Sequence, residues 1–230
     1  MEKRKEMYGK SEKGNKKRSA IEMTVCILGM AALTVLMAVF SADAGLLAGV
    51  AAYWIPCFVL LIYVLKVEKQ PISSVGLKPI RAKHVLEGLG LGIGMFIVQQ
   101  IPLLLMRMDY SAYAMEPDAV YVAVMLFYCF FCVGFAEELI FRGFLLKRTL
   151  DIFSQKWVCV GLNILLFYLI HWFTMQHTFG EFYNLATNVV ILCIYLFRKK
   201  EGTIVPLVIA HGFYDVLTSV GLPVFAYLLK

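Results

Sequence analysis

The sequence predicts an all-α fold, a polytopic transmembrane bundle of seven to eight helices. Of the 230 residues, 60% are hydrophobic and only 17% are charged, whereas soluble domains are about half apolar and a quarter charged. Apolar runs long enough to cross a bilayer recur along the chain. These runs lack the two-residue alternation of strands, and a sheet edge exposed to lipid leaves its backbone groups without partners.

Seven apolar runs predict the helices in order. They lie at about 21–41, 45–66, 85–106, 119–148, 157–174, 183–197 and 203–219. The segment between the second and third runs is rich in turn-forming and basic residues, which predicts a loop. The final stretch "VGLPVFAYLLK" is too short for another span, and we expect it to return part of the way inward. The count therefore stands at seven or eight helices.

The charge pattern predicts the orientation in the membrane. Residues 1–20 contain eight lysines and arginines against three glutamates, and we interpret them as a disordered basic tail ahead of a single membrane-embedded domain, 21–230. A cytoplasmic N-terminus places every lysine and arginine except Arg107 on the inner side, which is the usual bias of membrane proteins. We expect a multi-pass protein of a plasma membrane, bacterial because no organelle-targeting signal is evident, with its tail near anionic lipid.

The basic residues lie between apolar runs and form no patch, so no nucleic-acid partner is expected. All six cysteines fall inside apolar runs. Cys129 and Cys132 form a C-x-x-C, but they lie one helical turn apart in a predicted span, where free cysteine packs as a small apolar residue. No disulfide framework is predicted.

Three charged residues interrupt one of the most apolar stretches, "GFAEELIFRGFLL". Glu138 and Arg142 are four residues apart, so they share a helix face and can form an ion pair. Glu137 projects about 100° away around the helix, so one arginine does not easily neutralise both acids. An ionisable side chain in a span indicates a functional site by default, because its burial is costly.

Two further helices carry polar groups of the same kind. His171 follows Phe167 by one turn in "FYLIHWF", and His211 and Asp215 share a face in "AHGFYDV". A lone membrane histidine is most often an interhelical hydrogen-bond donor, but one costly group on each of three helices favours a common site. His84 and His177 fall in predicted loops and are expected to be solvated.

Two carboxylates and two imidazoles suit hydrolysis in two ways. Glu137, Glu138, His171 and His211 would ligate a divalent metal such as zinc, with an open position for water. Alternatively, a glutamate removes a proton from water while histidine orients it, without any cofactor. No serine or cysteine lies beside a base to act as a covalent nucleophile, and H-E-x-x-H is absent.

Three motifs carry a family resemblance. "EELIFRG" fits E-E-x-x-x-R, "FYLIH" fits F-x-x-x-H, and "HGFYD" fits H-x-x-x-[Asn/Asp]. In this order, on successive helices, they resemble the CAAX-protease and bacteriocin-processing (CPBP, or Abi) family of intramembrane proteases, which includes the type II CAAX prenyl endopeptidases. The resemblance covers about residues 75–220 and includes "SVGLKP" ahead of the third helix.

The resemblance implies an intramembrane peptidase whose site is reached from the cytoplasmic side. By motif position, Glu137 would be the base that activates water, and Glu138 would assist it while pairing with Arg142. His171 would position the water or stabilise the transition state, and His211 would support the same water or the oxyanion. Family members are described as metalloproteases and as metal-independent glutamate-type proteases; we favour the metal-free form here.

Asp215 departs from the prenyl-processing members, which carry Asn at this oxyanion-hole position. An ionised aspartate cannot donate a hydrogen bond to an oxyanion, whereas a protonated one can. Asp215 would therefore either donate in its protonated form or instead orient His211. The expected substrate is a peptide precursor, such as a bacteriocin or signalling peptide, or a membrane-associated protein; no oligomeric state is predicted. The alternatives are a non-catalytic membrane scaffold or bacteriocin self-immunity protein of the same family, and a proton-coupled transporter, whose inverted repeats are not visible.

Overall fold

The computed structural model describes residues 16–32, 45–106 and 114–229, and within these ranges the chain is helical without strands. Seven helices follow one another and are numbered in chain order. Helix α1 covers 16–32, α2 Gly45–Ile62 with a π-helical end Tyr63–Val67, α3 Ala82–Leu105, α4 Ala119–Ile152, α5 Lys156–Ile170, α6 Phe179–Arg198 and α7 Val205–Leu228.

The predicted transmembrane bundle is confirmed. Five helices, α2, α3, α4, α6 and α7, are long and apolar enough to cross a membrane, and α5 is a shorter apolar helix. Fewer than half of the residues in each span are buried inside the bundle, which is expected where lipid is the solvent. The predicted tail lies outside the described residues up to position 15, whereas residues 16–20 are helical, and the second half of the predicted first span also lies outside them.

The end of the chain differs from the prediction. Residues Leu222–Leu228 do not turn inward but prolong α7 through a π-helical turn at Leu217–Gly221. The N–H of Leu222 bonds to the carbonyl of Leu217 across that turn. Pro223 comes at the second position after it, where a missing N–H costs little. The polar Thr218 does not interrupt the helix, because its hydroxyl donates to the carbonyls of Tyr214 and Asp215. The helix therefore continues, and no eighth helix forms in the described part.

Helix α4 is the central helix of the bundle and is irregular. Two π-helical segments, Tyr128–Gly134 and Glu138–Leu145, flank a short regular segment, Phe135–Glu137. Every residue from 136 to 146 is buried. Insertions of π-helical geometry occur often at functional sites, and here they enclose the two glutamates.

Glycines let α4 and α7 approach each other closely. A Cβ atom built on Gly134 would lie 2.9 Å from the carbonyl oxygen of Val208, and one on Gly212 would lie 2.8 Å from the Phe130 ring and 2.9 Å from the Cys129 carbonyl. Neither position has room for a larger residue. Small residues of this kind are the usual means by which membrane helices pack tightly, and they bring His211 against the α4 glutamates.

An ion-pair cluster joins α1 to the end of α4 that is predicted to be cytoplasmic. The Arg148 Nε atom donates to Oε2 of Glu22 at 2.7 Å, and Arg148 also pairs with Glu68. The Arg148 guanidinium lies over the Phe144 ring at 4.2 Å. The sequence analysis did not single out Glu22, although it is a buried acid within a predicted span.

The loop after α2 packs against the start of α7. Ile72–Val75 form a 3-10 turn that ends at Gly76, whose φ of 80° favours glycine. The Gly76 carbonyl accepts from the Ile204 N–H at 3.0 Å and from the Thr203 hydroxyl at 3.2 Å. The "SVGLKP" segment therefore anchors the helix that carries His211.

The histidines outside the motifs have different surroundings from one another. His177 lies in an exposed turn, as predicted, 2.9 Å from the Tyr168 hydroxyl. The prediction for His84 is wrong: the residue is only 2% exposed, because α3 begins three residues earlier than expected and His84 packs against Glu201. All six cysteines are free, five of them buried, which confirms their packing role.

Candidate active site

The two adjacent glutamates lie near the middle of α4, surrounded by the other helices. Glu137 is 5% exposed and Glu138 is fully buried. Neither side chain reaches bulk solvent, so their charges must be balanced by the groups that contact them. The helices α5, α6 and α7 supply those groups.

A single oxygen of Glu138 joins α4 to α7. Its Oε1 atom accepts a hydrogen bond from Arg142 Nη1 at 2.9 Å and another from His211 Nδ1 at 2.8 Å. The predicted same-face ion pair is therefore present, and it also extends to α7. Because Nδ1 of His211 donates to this carboxylate, Nε2 is the nitrogen left to face the rest of the site.

The Arg142 guanidinium is held by two more elements. Its Nη2 atom lies 3.5 Å from the Asn188 side-chain oxygen on α6, and its central carbon lies 5.0 Å from the centroid of the Phe167 ring on α5. Arg142 and Glu138 both have fully buried side chains. A buried guanidinium is favourable only with such extensive pairing, and these contacts hold Arg142 in place beside Glu138.

Glu137 faces both histidines. Its Oε1 atom lies 3.6 Å from Nε2 of His171, and its Oε2 atom lies 3.7 Å from Nε2 of His211. Both separations are slightly longer than a hydrogen bond. Two imidazole nitrogens from different helices thus converge on the carboxylate that lacks a partner on its own helix, as the sequence analysis predicted.

His171 lies just beyond the end of α5. The helix stops at Ile170, earlier than the predicted end at 174, and His171 begins the following turn. Because a helix of 15 residues rises only about 22 Å, α5 ends at the depth of the α4 glutamates. The Nδ1 atom of His171 donates to the Phe167 carbonyl at 2.8 Å, which directs Nε2 towards Glu137.

Asp215 is at the edge of this group. Its Oδ2 atom lies 3.7 Å from Nε2 of His211, and its side chain is 21% exposed. The aspartate is therefore close enough to influence the imidazole electrostatically, and it makes no direct hydrogen bond to it. His171, with a side chain 28% exposed, forms the other partly open edge of the site.

Residues that the sequence analysis did not select complete the framework. Asn163 on α5 donates to the Phe141 carbonyl at 3.1 Å, inside the π-helical segment of α4. The Phe167 ring packs edge-on against Phe141 at 4.8 Å and lies 4.6 Å from the His171 ring. Asn163 and Asn188 are both buried amides in apolar runs, and this polarity was the available signal.

No group of three or more His, Cys, Asp or Glu residues is arranged to hold a metal ion in the described ranges. Glu138 Oε1 already accepts two hydrogen bonds, one of them from a cation, which does not fit the four-residue ligand set considered above. Glu181, which follows His177 by four residues, is engaged in capping α6 through Thr178.

A comparison with known proteins finds one family model, and the candidate site lies within the residues that match it. Residues 119–217 match the family model described as type II CAAX prenyl endopeptidase, Rce1-like. The matched range begins with α4, ends within α7 and contains all six predicted site residues. No curated protein and no solved structure matches the chain.

Proposed function

Residues 119–217 match the family model described as type II CAAX prenyl endopeptidase, Rce1-like, and we propose that the protein is an intramembrane endopeptidase of the CAAX-protease and bacteriocin-processing family that uses a glutamate-activated water. One observation carries this proposal: the Nε2 atoms of His171 and His211 lie 3.6 and 3.7 Å from the two oxygens of the buried Glu137 carboxylate. That spacing leaves room for a water at about 2.8 Å from the carboxylate and an imidazole together.

The chemistry follows from this arrangement. Glu137 accepts a proton from the water while the water oxygen attacks the carbonyl carbon of the scissile peptide bond. The carbonyl oxygen becomes an oxyanion in the tetrahedral intermediate. When the C–N bond breaks, the proton on Glu137 passes to the departing nitrogen, which leaves as an amine, and the other product is a carboxylic acid. His171 holds the attacking water in line with the carbonyl.

The remaining residues act through these groups. Glu138 holds His211 by accepting a hydrogen bond from its Nδ1 atom, and Arg142 in turn holds Glu138. The Glu138–Arg142 pair therefore orients the imidazole, and the negative charge of Glu138 balances an imidazolium. His211 Nε2 then faces the water or the developing oxyanion. Asp215 adds negative potential beside His211, which favours an imidazolium at the moment when the oxyanion forms.

We favour a metal-free mechanism. The two hydrogen bonds accepted by Glu138 Oε1 support this choice, because a ligand oxygen in that position would have to share its lone pairs with Arg142. No step above is routed through a metal ion. The zinc-dependent alternative makes a distinct prediction, namely that a chelator abolishes turnover.

The proposed substrate is a peptide precursor or a membrane-associated protein in a bacterial plasma membrane. The charge pattern supports a cytoplasmic N-terminus, which places the α4–α5 and α6–α7 connections on the cytoplasmic side. The partly exposed His171 and Asp215 offer an extended peptide an approach to Glu137.

The experiment reconstitutes the full chain in liposomes with internally quenched peptides. One pool of decapeptides ends in an S-farnesyl cysteine followed by three aliphatic residues, and a matched pool lacks the lipid. Wild type, Glu137→Gln and His171→Ala are compared with and without 1,10-phenanthroline. His177→Ala, which changes an exposed histidine 2.9 Å from the Tyr168 hydroxyl, is the matched control.

We expect wild type and His177→Ala to cleave at the same rate with or without the chelator, while Glu137→Gln and His171→Ala are inactive. Full activity in both site variants would refute the proposal that the protein is a protease, and it would favour the scaffold or self-immunity alternative. Loss of wild-type activity in chelator and recovery with zinc would replace the metal-free mechanism by the metal-dependent one.

A further inference from the structure

An apolar groove lies between α1, α2 and α4, and none of the candidate active-site residues lines it. Its volume is about 470 Å³, within the range of about 300–1,000 Å³ that small-molecule sites occupy. The groove follows residues 21–30 on α1 and 55–63 on α2, and Ile140 and Phe144 contribute to it from α4. Eight residues of helix rise about 12 Å, so the groove is long enough to take part of an extended hydrocarbon chain.

Gly29 keeps part of this groove open. A Cβ atom built on Gly29 would meet no atom of the described residues within 4 Å, whereas one on Gly134 or Gly212 would collide with a neighbouring helix. Gly29 is therefore not a point of close helix packing in the described chain. Because Gly29 lines the groove, its missing side chain instead leaves volume in the α1 wall.

The polar end of the groove is rich in positive charge. Glu22 and Tyr63 line the groove at this end, and the Tyr63 hydroxyl donates to Glu22 at 2.6 Å. Glu22 also lines two further cavities, of about 290 and 500 Å³, which therefore adjoin the groove. We call these two cavities the basic mouth, and their lysines and arginines are Lys16, Lys17, Arg18, Lys147 and Arg148.

The acids of the basic mouth are already engaged by neighbouring groups. There are three of them, Glu22, Glu68 and Asp151. Glu22 accepts from Arg18 at 2.6 Å and from Arg148 at 2.7 Å. Arg148 also pairs with Glu68, and Asp151 accepts from the Ser19 hydroxyl at 3.1 Å. Five cationic side chains therefore outnumber three carboxylates, which leaves two positive charges to attract an anion.

We propose that the groove and the basic mouth together bind one anionic phospholipid. An acyl chain lies in the apolar groove, and the phosphate of the head group lies in the basic mouth, which Lys17 and Lys147 line. Basic side chains at a membrane surface attract anionic lipids, so the surplus positive charge favours a head group of net negative charge over a zwitterionic one. The inference does not depend on the proposed function, because no residue of the candidate active site takes part.

The test titrates the full chain, purified in detergent, with dioleoyl phosphatidylglycerol or dioleoyl phosphatidylcholine. These lipids share their acyl chains and differ in net charge. Native mass spectrometry measures the lipid that the protein retains, and the unfolding temperature is recorded in parallel. We expect phosphatidylglycerol to bind at least tenfold more tightly and to raise the unfolding temperature more, because a ligand that binds only the folded state stabilises it.

Two kinds of variant test the two parts of the site. Gly29→Leu fills the groove and should remove the tightly bound phosphatidylglycerol. Gly90→Leu on α3, where a Cβ also meets no atom within 4 Å, is the matched control and should bind this lipid as wild type does.

Lys17→Gln combined with Lys147→Gln should weaken phosphatidylglycerol binding more than tenfold, at about fivefold per lysine, and leave phosphatidylcholine binding unchanged. Lys200→Gln, which changes an exposed lysine after α6, is the charge control and should have no effect. Lys17 and Lys147 are exposed, so this variant tests the basic mouth even where Gly29→Leu lowers the unfolding temperature without lipid.

Three results would overturn the proposal. Equal affinity of wild type for the two lipids would mean that the groove holds acyl chains without selecting the head group. Retention of phosphatidylglycerol by Gly29→Leu at the level of Gly90→Leu would place the lipid elsewhere. Displacement of bound phosphatidylglycerol by the farnesylated decapeptides, but not by the matched pool without lipid, would assign the groove to a lipidated substrate. None of these measurements requires cleavage, so failure of the proposed function would leave their outcome unaffected.

Discussion

The Nδ1 atom of His211 lies 2.8 Å from Oε1 of Glu138, the same oxygen that accepts from Arg142 at 2.9 Å. This shared oxygen connects α4 to α7 at the depth of the candidate site. It also gives the two adjacent glutamates different surroundings, because Glu138 Oε1 accepts two hydrogen bonds, whereas the imidazole nitrogens beside Glu137 lie 3.6 and 3.7 Å away. Under the proposed function, Glu138 holds other residues and Glu137 is the acid that faces water. The two acids should therefore respond differently to the same substitution.

Glu138→Gln is expected to damage both the fold and the activity. The amide keeps the size of the side chain but removes the charge that balances Arg142, and one unpaired buried charge costs about 3–5 kcal/mol. We expect a lower unfolding temperature in detergent and a fall in kcat of about 100-fold, since the uncharged amide oxygen is a weaker acceptor for His211 Nδ1 than the carboxylate. An unchanged unfolding temperature would contradict the buried pairing.

Glu137→Gln is expected to abolish cleavage without loss of stability. The nearest imidazole nitrogens to Glu137 are 3.6 and 3.7 Å away, which is longer than a hydrogen bond. Removing its charge therefore relieves the repulsion between Glu137 and Glu138 and breaks no close contact. The unfolding temperature should equal or exceed that of wild type, as often happens when a catalytic group is neutralised. A clear decrease would assign Glu137 a structural role instead.

The helices and the six motif residues could be predicted from the sequence because both depend on local signals. Apolar runs define spans, and ionisable groups within them stand out at once. The residues that surround the motif residues were not predictable. How α5 and α6 rotate against α4 decides whether Arg142 contacts Asn188 and whether Asn163 contacts the Phe141 carbonyl. The π-helical segments and the burial of His84 were missed for the same reason, since packing decides them.

The Glu201 carboxylate between α6 and α7 gives a prediction for pH. Hydrogen bonds from Lys83, and then from His84, lower its pKa from 4.5 to about 2. A lowered pKa means that the ionised form stabilises the fold, so this contribution is present above pH 4.5 and is lost as the pH falls towards 2. Glu201→Gln should unfold at a lower temperature than wild type at pH 6, and this difference in unfolding temperature should become smaller as the pH is lowered.

The matched control for Glu201 is Glu116→Gln, which changes an exposed carboxylate in the segment before α4. It should follow the wild-type unfolding curve at every pH. The difference in unfolding temperature between wild type and Glu201→Gln could instead stay constant from pH 6 to pH 2.5. That result would mean that the ion pairs of Glu201 with α3 do not stabilise the fold and that the substitution acts through packing alone.

Gly212→Ala is expected to separate α7 from α4 and thereby weaken the site. The new methyl group would lie 2.8 Å from the Phe130 ring and 2.9 Å from the Cys129 carbonyl, and backbone atoms cannot rotate away from it. Overpacking of this kind costs about 1–3 kcal/mol, and because His211 is the adjacent residue, kcat should fall at least tenfold. Gly94→Ala on α3, where a Cβ meets no atom within 4 Å, is the control and should be neutral or slightly stabilising. Equal unfolding temperatures and rates for the two variants would show that the close contact of α4 and α7 does not hold His211 in place.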